Sequence, residues 1–275
     1  MRAVLLSSQK VSNLTRKYFF PTVTACIIFH DEWVQVESCI NSFRRYYKQS
    51  QVILARDTLP PEIPDSLQRF NCSLVPENRS MEYLFEIIRS NKSFVELSLK
   101  QRVEIIDSQI RKLQDVSLAN KSDYILFLEY DSYVRRKVPV YFDTDIETLE
   151  VNKFSSDFVN LVEKITSTKM SFGGWGFVTG VVKSDALRDA LVWYQRNKRV
   201  IETVASYEPR MMVLDFLTPL LIHFSGGKVG NHNLTTECNR DKLWRLRKTP
   251  LLHQYRGDKR KFGFLMRRAI LNFQK

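Results

Sequence analysis

Four short stretches of this chain are apolar along most of their length: "VTACIIF", "QVILARD", the start of "NCSLVPENRS", and "DYILFLEYDS". Runs that stay apolar without alternating suit strands of a sheet covered on both faces, and such sheets are mainly parallel. The segments between them carry a different period. "VQVESCINSFRRYYKQS" places Val36, Cys39, Ile40, Phe43 and Tyr47 at helical spacing, and two more helical stretches fall at about 81–90 and 97–119. The second carries Val103, Ile106, Ile110 and Leu113 on one face. The order strand, helix, strand, loop, strand, helices, strand predicts an α/β fold. It would be a Rossmann-like, mainly parallel twisted sheet with helices on both faces. Ligands of such sheets bind beyond the carboxyl ends of the strands.

Acids stand at those ends. In "SDYILFLEYDSYVRRKVP", six of the seven residues from Tyr124 to Tyr130 are apolar or aromatic, Glu129 is the exception, and Asp131 follows. Asp57 ends "QVILARD" in the same way. Two carboxylates flanking one residue at a buried strand end repel each other unless a positive charge sits between them. A divalent cation supplies it, and Mg²⁺ or Mn²⁺ suits carboxylate oxygens. The alternative is structural: one acid caps a turn while the other pairs with Arg135 or Arg136. A second acid-x-acid, Asp143 and Asp145 in "FDTD", is a rival metal site or a turn with Asp at favoured positions.

The second half is less regular. "VPVYFDTDIETLE" reads as a strand and turn, and "SSDFVNLVEKITST" as a helix with Ser155 or Ser156 as N-cap. A glycine-rich loop, a strand at 177–182 and a helix capped by Ser184 come next. In that loop, "SFGGWGFVTG", small residues let a ligand approach the backbone and Trp175 offers a face for stacking; a tight turn around a buried Trp is the plain reading. No spaced Gly-Lys-Ser/Thr signature makes it a P-loop. Asp215 is the only charge in the apolar-rich stretch 211–222. A carboxylate there is costly unless paired or functional. Asp185 opens a helix, where an acid complements the dipole. Glu208 is a third acid in this half.

The run 23–136 resembles the nucleotide-binding half of a GT-A glycosyltransferase, most like family two. The resemblance rests on "VTACIIFHDEWVQVESCINSF", on "QVILARD", on "VPENRS" after the third strand, and on "ANKSDYILFLEYDSYV" running into the acid-x-acid. It implies a nucleotide-sugar donor. Asp57 would contact the nucleoside and Asp131 would be a metal ligand. His30, ending the first strand, and Tyr130 would line the nucleotide pocket. His253 in "TPLLHQYRGDKRK" would be a second, downstream ligand, and imidazole favours Mn²⁺ over Mg²⁺. Gly174, Trp175 and Gly176 would touch donor or acceptor sugar. Asp215, with Asp185 as the other candidate, would be the base of an inverting transfer to a glycan or lipid-linked saccharide. The chain departs from the family in two places. Glu129 replaces the usual first Asp, so its longer side chain is assigned to ribose or water. "IRKLQD" replaces the usual Ala-Arg-Asn, so Arg111 or Lys112 would supply the positive charge.

The chain has 275 residues, enough for one catalytic domain over 1–239, its nucleotide-sugar half about 22–142 and its acceptor half about 143–239. Residues 240–275 read as a basic C-terminal extension, part of a net charge of +12. As a helix its mixture of basic and apolar residues would lie on anionic lipid; packed on the domain it would show a solvated basic face. Four scattered cysteines without a C-x-x-C fit a reducing compartment. With no signal-peptide pattern or membrane-length apolar run, the expected location is cytoplasmic, peripheral at the membrane. The six Asn-x-Ser/Thr sequons then carry no weight. Other functions remain open: a retaining glycosyltransferase, a nucleotidyltransferase on a similar sheet, or a basic nucleic-acid binder. The nucleotidyltransferase is disfavoured because "FHDEW" has no glycine, and no common nucleic-acid motif supports the last.

Overall fold

The computed structural model describes residues 21–29, 33–56, 69–75, 96–147, 152–175, 180–231, 234–237 and 249–253. His30, Asp57, Gly176, the helical stretch expected at 81–90 and the basic segment 254–275 lie outside them. Strands β1 (Val23–Phe29), β2 (Val52–Arg56), β3 (Ser73–Val75) and β4 (Tyr124–Glu129) are the four apolar runs. With β6 (Ile146–Glu147), β9 (Gly180–Lys183) and β10 (Val229–Gly230) they form a seven-stranded sheet ordered β10-β6-β9-β4-β1-β2-β3. Four of its six ladders are parallel, and only β9 runs against its neighbours. The mainly parallel α/β sheet expected from the run pattern is therefore present.

Both faces of that sheet are covered. Successive side chains of a strand point to opposite faces. Ala25, Ile27, Phe29, Leu126 and Leu128 join one apolar cluster with Val36, Ile40 and Phe43 of helix α1 (Trp33–Arg44). Cys26, Ile28, Ile125 and Phe127 join the other, with Ile106, Ile110 and Leu113 of α2 (Leu99–Ala119). This is why the strands read as unbroken apolar runs.

Helix α2 starts on a capping box: the Ser98 hydroxyl accepts from the Gln101 N–H, and the Gln101 carboxamide accepts from the Ser98 N–H. It then runs back to the amino end of β4. Beyond β4 follow α3 (Ser156–Thr166), α4 (Ser184–Arg196), α5 (Lys198–Tyr207), a 3₁₀ turn at Pro209–Met212, and α6 (Leu214–Phe224). Ser155 caps α3 as expected, its hydroxyl accepting from the Phe158 N–H. Ser184 does not cap α4. It is the first helical residue, and its hydroxyl donates to the Ser122 carbonyl, tying α4 to the start of β4. In "VPVYFDTDIETLE" the strand among the described residues is Ile146–Glu147, which follows the turn and does not precede it.

Two small sheets complete the described residues. β7 (Asn152–Lys153) pairs with β8 (Gly174–Trp175), and β5 (Tyr133–Val134) pairs with β12 (Leu251–His253), which pairs with β11 (Thr235–Glu237). Part of the stretch expected to be an extension is thus woven into a sheet beside β4. No helix among the described residues is long and apolar enough to cross a membrane.

The second acid pair lies at the opposite end of β4 from Glu129. Half-buried Asp145 accepts from the Lys228 N–H at 2.9 Å and pairs with the Lys183 ammonium at 2.9 Å, and Lys183 stands opposite Tyr124. These contacts pin β6, β9 and β10 together. Asp145→Ala should cost about 1–2 kcal/mol of stability, read by urea unfolding, and leave metal binding intact. A loss of metal binding without a loss of stability would revive this pair as the metal site.

Candidate active site

The acids of the opening strand and a distant histidine converge just past the carboxyl end of β4. Glu129 lies opposite Ile28 in the β1–β4 register, and the Tyr130 N–H continues that pairing onto the Ile28 carbonyl. The period of two puts Glu129 on the Ile125 and Phe127 face, while Tyr130 packs into the cluster with α1. The chain then turns, with the Ser132 N–H donating to the Glu129 carbonyl at 2.9 Å, and enters β5.

Helix α1 holds this turn from below. Buried Ser42 accepts from the Val134 N–H at 2.9 Å, and the Cys39 thiol contacts the Glu129 carbonyl at 3.8 Å. Burial first, and then the Asp131 charge, raise the Cys39 pKa, so the thiol stays neutral.

β12 delivers the histidine. Leu252 pairs with Tyr133 in the antiparallel β5–β12 register, so His253 follows alongside the turn. Its Nε2 lies 2.9 Å from Glu129 Oε2 and 3.4 Å from Asp131 Oδ1. One ligand atom from each of the three lies within 4.8 Å of the others. Asp131 is 7% exposed and His253 2%. Two carboxylate oxygens and an imidazole nitrogen are a donor set for Mn²⁺ or Mg²⁺. Glu129, whose sequence context points to ribose or water, stands with the two residues that could hold an ion, and it lies closer to His253 than Asp131 does.

Burial disfavours the His253 imidazolium, but hydrogen bonds and charge from Asp131 and Glu129 outweigh it and push its pKa up to about 10. That value lies above the unfolded one, near 6.5. In the metal-free protein the pairing therefore stabilises the fold fully below about pH 6.5 and fades as pH rises through about 10. A coordinating imidazole is neutral, so an ion must displace that proton. Mn²⁺ binding at pH 7.5 should release about one proton, measured calorimetrically in buffers of different ionisation enthalpy. Binding with no proton released would show that His253 is not a ligand.

Other sequence-derived candidates fall in different places. Arg111 is exposed on the outer face of α2. Lys112, beside it, is buried near Cys26, and burial pulls its pKa down to about 7. Gly174 and Trp175 form β8 on the ribbon with β7. Asp215 is in the first turn of α6, and Phe216 packs edge-on against Phe154, the residue after β7. The far end of α6 returns through Gly226 and Gly227 to Lys228, beside Asp145 at the amino end of β4. The start of α6 lies at the other end of the sheet: Arg102, in the first turn of α2 and about 25 Å along that helix from its end beside β4, donates to the Ala205 carbonyl near the close of α5, and the 3₁₀ turn leads from there to Asp215. Asp185 stands at the opposite edge, exposed, next to Ser184 that bonds Ser122, and it pairs with Arg188. Glu208 caps the 3₁₀ turn and grips Arg210 through both carboxylate oxygens.

Arg56 is a group that sequence reasoning passed over. It ends β2, is 2% exposed, and its guanidinium lies 5.9 Å from the Phe29 ring and 5.6 Å from the Trp33 ring. Phe29 and Arg56 are register partners at the carboxyl ends of β1 and β2. The signal was a charged residue closing an apolar strand, overshadowed by the acid after it.

No family model matches the chain, and no curated protein does. Among the solved structures it resembles are glycosyltransferases. They include the galactosyltransferase LgtC in complex with donor and acceptor sugar analogs, at 9% identity over 85% of this chain and 87% of that one, with a TM-score of 0.48. The apo bifunctional glycosyltransferase WbbM is 12% identical over 87% of this chain, which spans 46% of that one, with a TM-score of 0.44. A glycosyltransferase involved in glycosylating the major capsid of PBCV-1 is 13% identical over 88% of this chain and 96% of that one, with a TM-score of 0.42. At these identities no residue role passes from them to this chain.

Proposed function

We propose that this chain is a metal-dependent glycosyltransferase of the GT-A kind. It would move a sugar from a nucleotide-diphosphate sugar to a glycan or lipid-linked saccharide, with inversion at the anomeric carbon. The observation that carries the reading is the cluster of Glu129, Asp131 and His253 beyond the carboxyl end of β4, where a mainly parallel sheet binds its ligand. These three residues would hold the ion, and the buried imidazole tips the preference toward Mn²⁺. When bound, the ion neutralises charge on the diphosphate leaving group.

The chain's own groups supply the rest. His30 and Asp57, which follow β1 and β2 in the sequence, would contact the nucleoside; Arg56 and the Phe29 and Trp33 rings meet at the carboxyl ends of those strands. Gly174, Trp175 and Gly176 would lie along the sugars. Asp215 would take the proton of the acceptor hydroxyl as that oxygen bonds the anomeric carbon and the bond to the diphosphate oxygen breaks. Its place at the start of α6 favours it over Asp185, which belongs to the other edge.

A thermal-shift panel of nucleotide diphosphates and nucleotide sugars, with and without Mn²⁺, tests the reading. At least one nucleotide diphosphate should raise the Tm only when Mn²⁺ is present. A panel with no metal-dependent shift would overturn it.

A further inference from the structure

An open cavity of about 340 Å³ lies between α3 and the end of α5, outside the cluster on β4. Phe158 and Leu161 line it, together with Tyr207, which is 69% exposed. Asp157, Asn160 and Lys164 add polar groups from α3. The helical repeat explains the arrangement: positions 157, 160, 161 and 164 fall on one stripe of a helix. The result is an apolar surface, an accessible aromatic ring and a row of hydrogen-bonding groups.

That combination matches a pyranose. One face of the ring is made of C–H groups and rests on apolar or aromatic surface, while its hydroxyls seek carboxylate, amide and ammonium partners. The volume sits at the small end of the ~300–1,000 Å³ typical of ligand pockets. The neighbours of the cavity matter as much as its lining. Phe158 packs against Phe216 with ring centroids 5.4 Å apart, and Phe216 follows Asp215. Glu208, also in the lining, caps the turn that leads into α6. Helix α3 begins shortly after β7, the partner of Gly174 and Trp175.

We propose that this cavity is a sugar-binding subsite holding a unit of the acceptor glycan away from the reacting hydroxyl. The word acceptor rests on the glycosyltransferase reading; the sugar binding does not. A remote unit held here would orient the hydroxyl beside Asp215, so that binding energy far from the bond being made is realised as positioning.

The test is saturation-transfer-difference NMR on the full chain, with free hexoses, N-acetylhexosamines and their disaccharides as probes, in EDTA and without nucleotide. At least one probe should bind. Tyr207→Ala should weaken it roughly tenfold, Tyr207→Phe should retain it, and Asp131→Ala should leave it unchanged. Because Tyr207 is exposed, Tyr207→Ala should keep its Tm. Silence across the panel overturns the subsite, as does binding that Tyr207→Ala leaves intact. Binding lost in Asp131→Ala but kept in Tyr207→Ala overturns it too, since the sugar then sits at the β4 cluster. The glycosyltransferase reading fails by a separate measurement, the metal-dependent binding of nucleotide diphosphates, which these probes do not touch.

Discussion

Asp131→Ala should abolish the Mn²⁺-dependent thermal shift with nucleotide diphosphates and lower sugar transfer about 10³-fold or more. The size follows from the role. Removing Asp131 takes one of two carboxylates from a group whose third member is an imidazole. An ion held by what remains is bound weakly and off position. A metal's stabilisation of developing charge is worth several kcal/mol, and about 4 kcal/mol corresponds to ~10³ in rate. The fold should survive, because Asp131 lies in the turn after β4 and not within a ladder. Isothermal titration with Mn²⁺ and a transfer assay on the same preparation give the two readouts. Wild-type metal affinity in the variant would move the site elsewhere. Glu129→Gln should also weaken the ion, because Glu129 Oε2 is the oxygen nearest to His253 Nε2.

The second large effect is expected at Asp215. Asp215→Asn should reduce kcat by ~10²–10⁴, the range that general-base catalysis contributes, while the metal-dependent thermal shift with nucleotide diphosphates stays as in the wild type. A parallel Asp185→Asn variant is the control. Asp185 pairs with Arg188 on the exposed start of α4 at the other edge of the sheet, so its rate should change little. The opposite result, with Asp185→Asn crippled and Asp215→Asn active, would remove Asp215 from the mechanism. Equal donor binding in both variants separates proton transfer from donor affinity.

Much of the first half was legible in the sequence because its signals are local. A strand buried on both faces is apolar along most of its length, so β1, β2 and β4 announce themselves as runs. The capping box of Ser98 and Gln101 is formed within three residues of one helix start, and in the second half Ser155 caps its helix over the same short reach. Glu129 and Asp131 are conspicuous because charge at the end of such a strand is costly.

The second half was harder to read because its strands are two to four residues long, too short for any period. Pairing sets them, not pattern: β6 exists because β9 and β10 flank it. Ser184 carried a cap signal, yet its hydroxyl is drawn to Ser122, 62 residues earlier, a choice that local sequence does not contain.

By itself, the sequence determined a mainly parallel sheet with helices on both faces and two acids at the end of its most apolar run. Only the tertiary structure decided which groups share one site. His253 reaches Glu129 across 124 residues because β12 lies antiparallel to β5 and delivers the imidazole to the turn. Asp145 is held away at the other edge by Lys183 and the Lys228 N–H, although its acid-x-acid spacing matches that of Asp131. Spacing along the chain creates pairs of like groups; register between strands determines which of them meet a third.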